Sequence, residues 1–526
     1  MNKFITQFYG FCLASAKIIT LALSGFLFIS AFISSAYAYM DTQKMIFTWD
    51  NLLLSTISIF GAIAFIYLIT NLLCRVKHIK QFLLTFIISL YGLGSIVLIL
   101  FNKSVPGADP MSVFRIAEAF AVNNFDAIDP ATSYLSYYPH QIGLAAYYEI
   151  LLRLWSFVPG DVIGYHFIKI VNMLLTFTLI ICLYKVIQLL FKEDKYQVAF
   201  LCLLIFHLPL LMYSTFIYGE LPSIAFFSVG LLCLVKILKK DFSHKYTNWV
   251  CILLSIVCFA ICVSIRKNTL VPLIAVFIVL FLSALSQKRY ALLLLNATYI
   301  LVCLGFTPAI QMFYEFRAGN YLNDGVPALT YIAMGMQYAE RGNGWYNGYN
   351  FLTYENTGLN SMLASDIASQ YISTRLQYFS QNIGELIKFY FDKFQVQWCD
   401  GTYASLQATL ATFSGRNAFF ESLYAYSSWS HIVYIFICNV FQNLLYLGNF
   451  VFCLVSLKRK EKQFDILHYL CLIGVFGIFL FHTLWEANSR YIFHASILLL
   501  PTASYGLGHI IAFFKNKSNA RKSLHS

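Results

Sequence analysis

The sequence predicts an all-α protein that crosses a membrane many times. Hydrophobic residues make up 59% of the chain and charged residues only 11%, whereas about 25% of the residues of a soluble globular protein are charged. Aromatic residues reach 18%, as is typical of helices that face lipid and of the aromatic belts at the two membrane interfaces. Apolar runs of roughly 20 residues, long enough to span the hydrocarbon core as helices, recur along the chain.

About twelve such runs are present. In chain order they cover 18–39, 51–73, 81–101, 163–191, 197–217, 221–238, 248–265, 270–286, 291–314, 432–456, 464–484 and 491–514. The first run ends in the small-residue pattern Ala36-Tyr37-Ala38, but it is longer than the apolar core of a usual signal peptide, so we predict an uncleaved helix.

These runs divide the chain into five regions. We predict N-terminal helices in 1–80, a membrane module in 81–314 with an outer loop at 102–162, a long loop region in 315–431, C-terminal helices in 432–514 and a basic tail in 515–526. The apolar segment 142–158 contains Glu149 and Arg153, and we predict that it is a juxtamembrane helix that does not cross the membrane.

Short basic clusters between the runs set the orientation. They lie at 75–80, 192–195, 239–245, 288–289, 458–460 and 515–522, and strict alternation of the runs places all of them on one face. The positive-inside rule assigns that face to the cytoplasm, so the C-terminus is expected there and the loops 102–162 and 315–431 are expected outside. The net charge of +12 is spread over these clusters, which excludes a nucleic-acid-binding patch.

Carboxylates gather in the first outer loop. Asp109 follows the third run and can act as a general base or bind a metal at the membrane surface, or it can cap the helix that begins at Pro110. Asp126 and Asp129 could join Asp109 in binding a divalent cation, but neither a DxD nor a dense acidic motif is present, and this favours a solvated loop.

An aromatic and histidine-containing segment ends that loop. Tyr138 and His140 stand directly before the segment 142–158. His140 can hydrogen-bond a substrate hydroxyl or phosphate, or it can be a packed polar group. Both residues are therefore candidates for substrate binding.

Other ionisable residues lie at the outer ends of the apolar runs. Lys169 shares a helix face with His166 and Asn172. Such intramembrane residues are costly and suggest a site, unless the lysine extends to the interface. Glu220 is held at the surface by the short turn that begins at Tyr218.

One basic cluster falls on the face opposite to all the others. It is Arg266-Lys267-Asn268, and an anionic lipid headgroup such as a polyprenyl phosphate would account for it, because arginine suits bidentate phosphate contacts. A late outer turn of sequence WEANSRY supplies Glu486, Arg490 and Tyr491, and its arginine adds a second cation on that face.

The order of these features resembles the polytopic GT-C glycosyltransferases. The features are the outer-loop Asp109, the YYPHQ segment at 137–141, the outer Arg266-Lys267-Asn268 and the WEANSRY turn at 485–491. The resemblance is to bacterial proteins akin to the protein O-mannosyltransferases and the lipid A aminoarabinose transferase, and it spans about 85–510. The segments MGMQYAERGNGWYNGYN and QVQWCDGTYAS also look like those of uncharacterised Gram-positive members.

The resemblance implies an enzyme of the bacterial plasma membrane that transfers a sugar from a polyprenyl-phosphate carrier to an extracytoplasmic glycan, lipid or protein acceptor. It implies that Asp109 is the catalytic residue and that Arg266, Lys267 and Arg490 contact the lipid phosphate. No cofactor is implied with certainty, since only some relatives use a divalent cation. The remaining candidates for substrate binding are Tyr138, His140, Lys169, Glu220, Asn268, Glu486 and Tyr491.

Three other functions remain open. One is a non-enzymatic membrane scaffold, which would leave the chemistry of the loop residues unexplained. An O-antigen-type polymerase or ligase typically has an arginine-rich outer loop, and the loop region 315–431 contains Arg317, Arg341, Arg375 and Arg416. A flippase for lipid-linked oligosaccharides would need polar residues in the middle of several helices. The acidic first loop favours the glycosyltransferase.

Overall fold

A computed structural model describes residues 3–39, 42–73, 78–131, 133–156, 164–240, 245–458 and 463–525. The chain is almost entirely helical, and ten of its described helices are long and apolar enough to cross a membrane, or eleven if the bent pair Ser489–Leu498 and Leu500–Lys515 is one span. The predicted all-α, polytopic membrane fold is confirmed. Arg75, Lys77, Arg459 and Lys460 of the basic clusters lie outside the described residues, and for residues 516–525 of the tail only the backbone is described.

The N-terminal part contains two strands that the hydropathy pattern did not predict. The elements are α1 (Lys3–Ile33), β1 (Ser34–Ala38), β2 (Met45–Trp49), α2 (Leu52–Leu73), α3 (Ile79–Val97) and a π-helical turn, Leu98–Asn102. The first predicted run, 18–39, is wrong at both ends. Helix α1 begins earlier than residue 18, and the last residues of the run form strand β1 instead of helix. These residues pair antiparallel with β2, and the Ala36 amide donates to the Cys399 carbonyl at 2.8 Å.

The first outer loop is helical. It contains α4 (Asp109–Ala121), α5 (Tyr134–Tyr137), a 3-10 turn (Pro139–Gln141) and α6 (Ile142–Trp155). Helix α6 has 14 residues and is therefore about 21 Å long, which is too short to cross a bilayer. This agrees with the predicted non-crossing helix.

The central membrane part contains one broken span. Its elements are α7 (Gly164–Leu190), α8 (Asp194–Phe206), α9 (Leu208–Tyr213), α10 (Glu220–Lys239), α11 (Lys245–Ile265), a 3-10 turn (Lys267–Thr269), α12 (Leu270–Ser286) and α13 (Ala291–Ala318). The predicted run 197–217 is not one helix, because the chain bends at His207 and Pro209 opens α9; proline cannot continue the hydrogen bonds of a preceding helix. The predicted number of continuous spans is therefore too high.

The broken span nevertheless reaches as deep as α3. At one end Lys80 Nζ lies 2.7 Å from Asp194 Oδ1. At the other end the hydroxyls of Ser95 and Ser214 are 2.8 Å apart. The chain between Asp194 and Ser214 therefore runs alongside α3 from end to end.

The late loop region and the C-terminal helices complete the chain. The loop region contains α14 (Ala328–Gly335), α15 (Tyr349–Asn356), α16 (Ser361–Gln381), α17 (Ile383–Trp398), α18 (Ser405–Ala408) and α19 (Ala418–Tyr424). The C-terminal part contains α20 (Trp429–Lys458), α21 (Leu470–Leu484), α22 (Phe493–Leu498) and α23 (Leu500–His525), with 3-10 turns at Ile466–Tyr469 and Ser489–Ile492.

The described basic clusters lie at one end of the helix bundle. Four contacts join the segments that carry them: Lys80 to Asp194 at 2.7 Å, Lys239 to Asp465 at 3.9 Å, Arg289 Nη1 to the Ile237 carbonyl at 3.0 Å, and the rings of Phe191 and His468 at 5.7 Å. Glu220 begins α10 and Lys239 ends it, so Glu220 lies at the opposite end, about 30 Å away. We call that opposite end, which also holds Asp109, the site end.

Candidate functional site

Two arginines from different parts of the chain meet at one buried carboxylate at the site end. Arg266 Nη2 lies 3.0 Å from Glu220 Oε1, and Arg490 Nε lies 3.3 Å from the same atom. Glu220 is 1% exposed, and neither contact has hydrogen-bond geometry. The two guanidinium groups thus balance only one carboxylate, and their N–H groups are not committed to it.

Two tyrosine rings enclose these guanidinium groups. The Cζ atoms of Arg266 and Arg490 lie 5.4–5.8 Å from the ring centroids of Tyr218 and Tyr491. Each such cation–π contact contributes roughly 0.5–2 kcal/mol, depending on how far it is removed from water. The rings therefore fix where the guanidinium groups lie.

Tyr218 contacts both arginines through its ring, and it was not among the predicted site residues. Its hydroxyl accepts a hydrogen bond from Gln141 Nε2 at 2.7 Å. Burial, and after it the Asp109 carboxylate, raise the pKa of Tyr218 to about 12, whereas Arg490 and Arg266 oppose this rise. The signal in the sequence was the three-residue turn 218–220, from which only Glu220 was chosen.

Two glycines bring the backbones of the site together. A Cβ on Gly143 would lie 2.1 Å from the Ser264 carbonyl oxygen, and one on Gly219 would lie 3.0 Å from the Ile265 carbonyl oxygen. Glycine is therefore needed at position 143, where α6 touches the end of α11. This approach places His140 beside Arg266.

Asp109 is exposed and lies close enough to Tyr218, the tyrosine that both arginines contact, to interact with it electrostatically. Its charge contributes, after burial, to the raised pKa values of Tyr218 and Tyr138. It is the first residue of α4 and makes no cap, because the N-cap is Ala108 and has no side-chain hydrogen bond. Ala108 has φ +50°, a strained conformation for a residue with a Cβ, and such outliers concentrate at functional sites.

Glu486 is a second carboxylate beside this space. It is 6% exposed, and its Oε1 accepts a hydrogen bond from the Tyr491 hydroxyl at 2.9 Å. Burial raises the pKa of Glu486 to about 7; Tyr491 and Arg490 oppose this rise, and Asp109 adds to it. At neutral pH this carboxyl can therefore accept or release a proton.

Lys393 lies behind Glu486 and was missed by sequence reasoning. It is 1% exposed, and its Nζ donates to the Gly335 carbonyl at 2.6 Å and to the Thr483 carbonyl at 2.9 Å. Burial lowers the pKa of Lys393 to about 7, and the Glu486 carboxylate opposes this. The only signal in the sequence was a charged residue in the apolar end of α17.

The remaining outer-loop candidates border the arginine pair. His140 is half-buried, and burial followed by the charges of Lys267 and Arg266 lowers its pKa to about 4, so it is neutral at pH 7. Tyr138 is half-buried, and burial raises its pKa, with smaller contributions from Tyr346, Asp109 and Glu486. Lys267 is exposed and Asn268, next to it, is half-buried.

Lys169 is not brought into the site. It is fully buried, and its Nζ donates to the Ser104 carbonyl in the segment that leads to Asp109. Nearby, Asn172 Nδ2 donates to the Phe216 carbonyl at 3.1 Å. Both residues therefore hold the backbone that carries the site, and Lys169 is buried rather than extended to the interface.

The acidic residues of the first loop do not come together in the structure. Asp109 begins α4, whereas Asp126 and Asp129 follow its end, and a helix of 13 residues separates them by about 20 Å. Asp129 Oδ1 accepts a hydrogen bond from the Ala131 amide at 2.6 Å. Within the described ranges, no three acidic, histidine or cysteine side chains converge on a position that could hold a metal ion.

The sequence was compared with known proteins. No model of a protein family matches the chain, and the search of curated protein sequences finds no significant match. The functional argument therefore depends on the site itself.

Proposed function

We propose that this protein is a GT-C-type membrane glycosyltransferase, which transfers a sugar from a polyprenyl-phosphate carrier to an acceptor on the extracytoplasmic side of a bacterial plasma membrane. One observation carries this proposal. Arg266 and Arg490 are held together at the site end, and Asp109 faces the same tyrosine, Tyr218, as both of them.

The charges of the site suit this reaction. When the bond between the anomeric carbon and the phosphate oxygen breaks, negative charge develops on the phosphate, and the N–H groups of Arg266 and Arg490 stabilise it. The acceptor oxygen forms the new bond to the anomeric carbon and loses its proton to Asp109. Glu220 leaves the arginine pair with a net positive charge, which favours binding of an anion.

The orientation follows from the basic clusters. The described clusters lie at the end opposite to Glu220, and the positive-inside rule assigns that end to the cytoplasm. We therefore propose that the site end is extracytoplasmic and that the C-terminus is cytoplasmic. A polyprenyl carrier would reach the site from within the bilayer.

The polymerase or ligase alternative loses most of its support. It depended on arginines of the late loop, but three of them have structural partners: Arg317 lies 3.5 Å from Glu149 Oε1, Arg375 Nε donates to the Met336 carbonyl at 3.0 Å, and Arg416 Nε donates to Asn102 Oδ1 at 2.9 Å. These side chains hold the outer segments together and are not grouped for substrate.

The flippase alternative is also weaker. Polar residues do lie deep in the bundle, such as Asn449 of α20 and Thr502 of α23, whose side chains are 2.5 Å apart. Asn449 Nδ2 also donates to the Leu499 carbonyl at 3.2 Å. These groups satisfy one another as packing contacts between helices.

The test is transfer by the purified protein in vesicles, with a panel of radiolabelled polyprenyl-phosphate sugars and an extract of envelope acceptors. Asp109→Asn is expected to abolish transfer and to keep donor binding, because only the proton acceptor is lost. The control is Asp126→Asn, an exposed carboxylate of the same loop, which is expected to transfer normally. Transfer by the Asp109→Asn variant at the unmodified rate would contradict the proposal.

A further inference from the structure

A cavity beside the site is open toward the membrane. It has a volume of about 290 Å³ and lies between α1, α17 and α21, close to the lower end of the range for small-molecule pockets, roughly 300–1,000 Å³. Its walls include Phe26, Phe394, Phe479 and Trp398. The Phe26 and Phe394 ring centroids are 4.6 Å apart, and those of Trp398 and Phe479 are 5.6 Å apart. We call it the aromatic groove.

The mouth of the groove faces the bilayer. Phe26 is 42% exposed and Ile387 is 64% exposed, and both α1 and α21 belong to candidate membrane spans. Ile383, Ile387 and Phe391 form an exposed apolar stripe along one side of α17, a pattern typical of a helix that lies in the membrane interface. We therefore expect the mouth to open toward the apolar part of the membrane, where a lipid chain is a suitable occupant.

The inner end of the groove reaches the site. Lys393 and Gln397 line it and are almost fully buried. Gln397 Nε2 donates to the Glu486 carbonyl at 3.4 Å. The Lys393 amino group bonds to two backbone carbonyls, and in its protonated form it has one further N–H donor. A polar headgroup at this end can thus accept a hydrogen bond from Lys393.

The groove and the arginines lie on two sides of one layer. Glu486 and Tyr491 form this layer, since Tyr491 contacts Glu486 through its hydroxyl and both arginines through its ring. The arginines suit the donor phosphate, so the groove on the other side suits a second substrate that also has an apolar chain. Its headgroup would lie next to Glu486, which borders the groove through Gln397 and is close enough to Asp109 to interact with its charge.

We propose that the acceptor is a membrane lipid with a hydroxylated headgroup, and that one of its acyl chains lies in the aromatic groove. This inference rests on the proposed glycosyl transfer for its role, but lipid binding in the groove can be measured without transfer. The donor's polyprenyl chain lies elsewhere in this arrangement.

The experiment uses the full chain in phosphatidylcholine vesicles that contain phosphatidylglycerol with a photoactivatable diazirine in one acyl chain. After illumination, mass spectrometry locates the labelled residues. We expect labels to concentrate in 387–398 and 479–483. Thr483→Trp, which fills the inner end, is expected to reduce this labelling at least fivefold, and Ile387→Trp at the exposed mouth serves as a second variant should the first not insert.

The control is Phe60→Trp on the outer face of α2, where the residue is 60% exposed; it should leave groove labelling unchanged. Labelling spread evenly over the exposed apolar surface, or unaffected by both groove variants, would overturn the inference. So would displacement of the label by unlabelled polyprenyl phosphate, since the groove would then belong to the donor. Groove labelling in a protein that transfers no sugar would instead overturn the proposed function and the acceptor role, leaving only a lipid site.

Discussion

The Glu220 carboxylate is the point at which the site can be tested most directly. Glu220→Gln keeps the size of the side chain and removes the charge that Arg266 and Arg490 share at 3.0 and 3.3 Å. With an effective dielectric constant of about 20, each pair attracts by roughly 5 kcal/mol before the cost of desolvation. Removing one partner of a buried ion pair typically costs about 3–5 kcal/mol of folding free energy, because the remaining charges stay buried.

The same substitution is expected to strengthen anion binding at the site. Two guanidinium groups then remain without a carboxylate. Binding of a phosphate is therefore expected to stabilise the Glu220→Gln variant more than it stabilises the unmodified protein. The assay is unfolding of the purified protein with and without polyprenyl phosphate. We expect a lower midpoint without ligand and a larger ligand-induced rise for Glu220→Gln than for the unmodified chain.

A matched control separates this effect from the loss of any ion pair. Glu118 and Arg115 are 3.2 Å apart, but their side chains are 37% and 68% exposed, and an exposed pair contributes about 0–1 kcal/mol. Glu118→Gln should therefore change neither quantity appreciably. An unchanged midpoint for Glu220→Gln, or a smaller ligand-induced rise than in the unmodified protein, would refute the view that Glu220 offsets part of the positive charge that the arginines present to an anion.

Two further predictions concern Glu486 and Gly143. In the folded protein Glu486 keeps its proton up to about pH 7, whereas in the unfolded chain it releases the proton near pH 4.5. This group therefore lowers the free energy of unfolding as pH rises between these values, by at most about 1.4 kcal/mol per pH unit. Glu486→Gln should remove that slope from a pH series of unfolding midpoints, and an identical slope would contradict the raised pKa of Glu486. Gly143→Ala places a Cβ 2.1 Å from the Ser264 carbonyl oxygen, and it should lower both the unfolding midpoint and the affinity for the donor. The control is Gly305→Ala, whose Cβ would have no atom within 4 Å, and it should be neutral or stabilising by up to about 1 kcal/mol. Equal midpoints for the two variants would rule out a close approach at Gly143.

The fold class could be predicted because hydropathy is a local property. Each span is predicted from a continuous apolar run, and the prediction does not depend on which helices lie next to it in space. The break at His207 could not be read in the same way, since 197–217 is apolar throughout and Pro209 can either kink a helix or begin one. The strand Ser34–Ala38 was equally hidden, because its partner β2 and the Cys399 carbonyl are what give it an extended form.

The site could be predicted only in part, because the role of a charge depends on its partner. Lys169 looked like a ligand-binding residue until its contact with Ser104, 65 residues away, was known. Tyr218 was overlooked for the opposite reason, since an aromatic residue in a short turn gives no sign that two arginines will pack on it. The distance between Asp109 and Asp126 could have been predicted from the sequence. A helix that begins at Asp109 carries the chain about 1.5 Å further with each residue.

The position of the arginines gives the strongest physical reason to look for an anionic ligand. Arg266, Lys267 and Arg490 lie at the site end, whereas the described basic clusters lie at the other end. Structural anchoring alone would be served by exposed side chains, yet Arg266 and Arg490 are mostly buried and enclosed by tyrosine rings. Glu220 contacts both arginines and offsets only one of their two charges, and for this reason we propose that a further negative group, such as a lipid phosphate at the membrane surface, binds there.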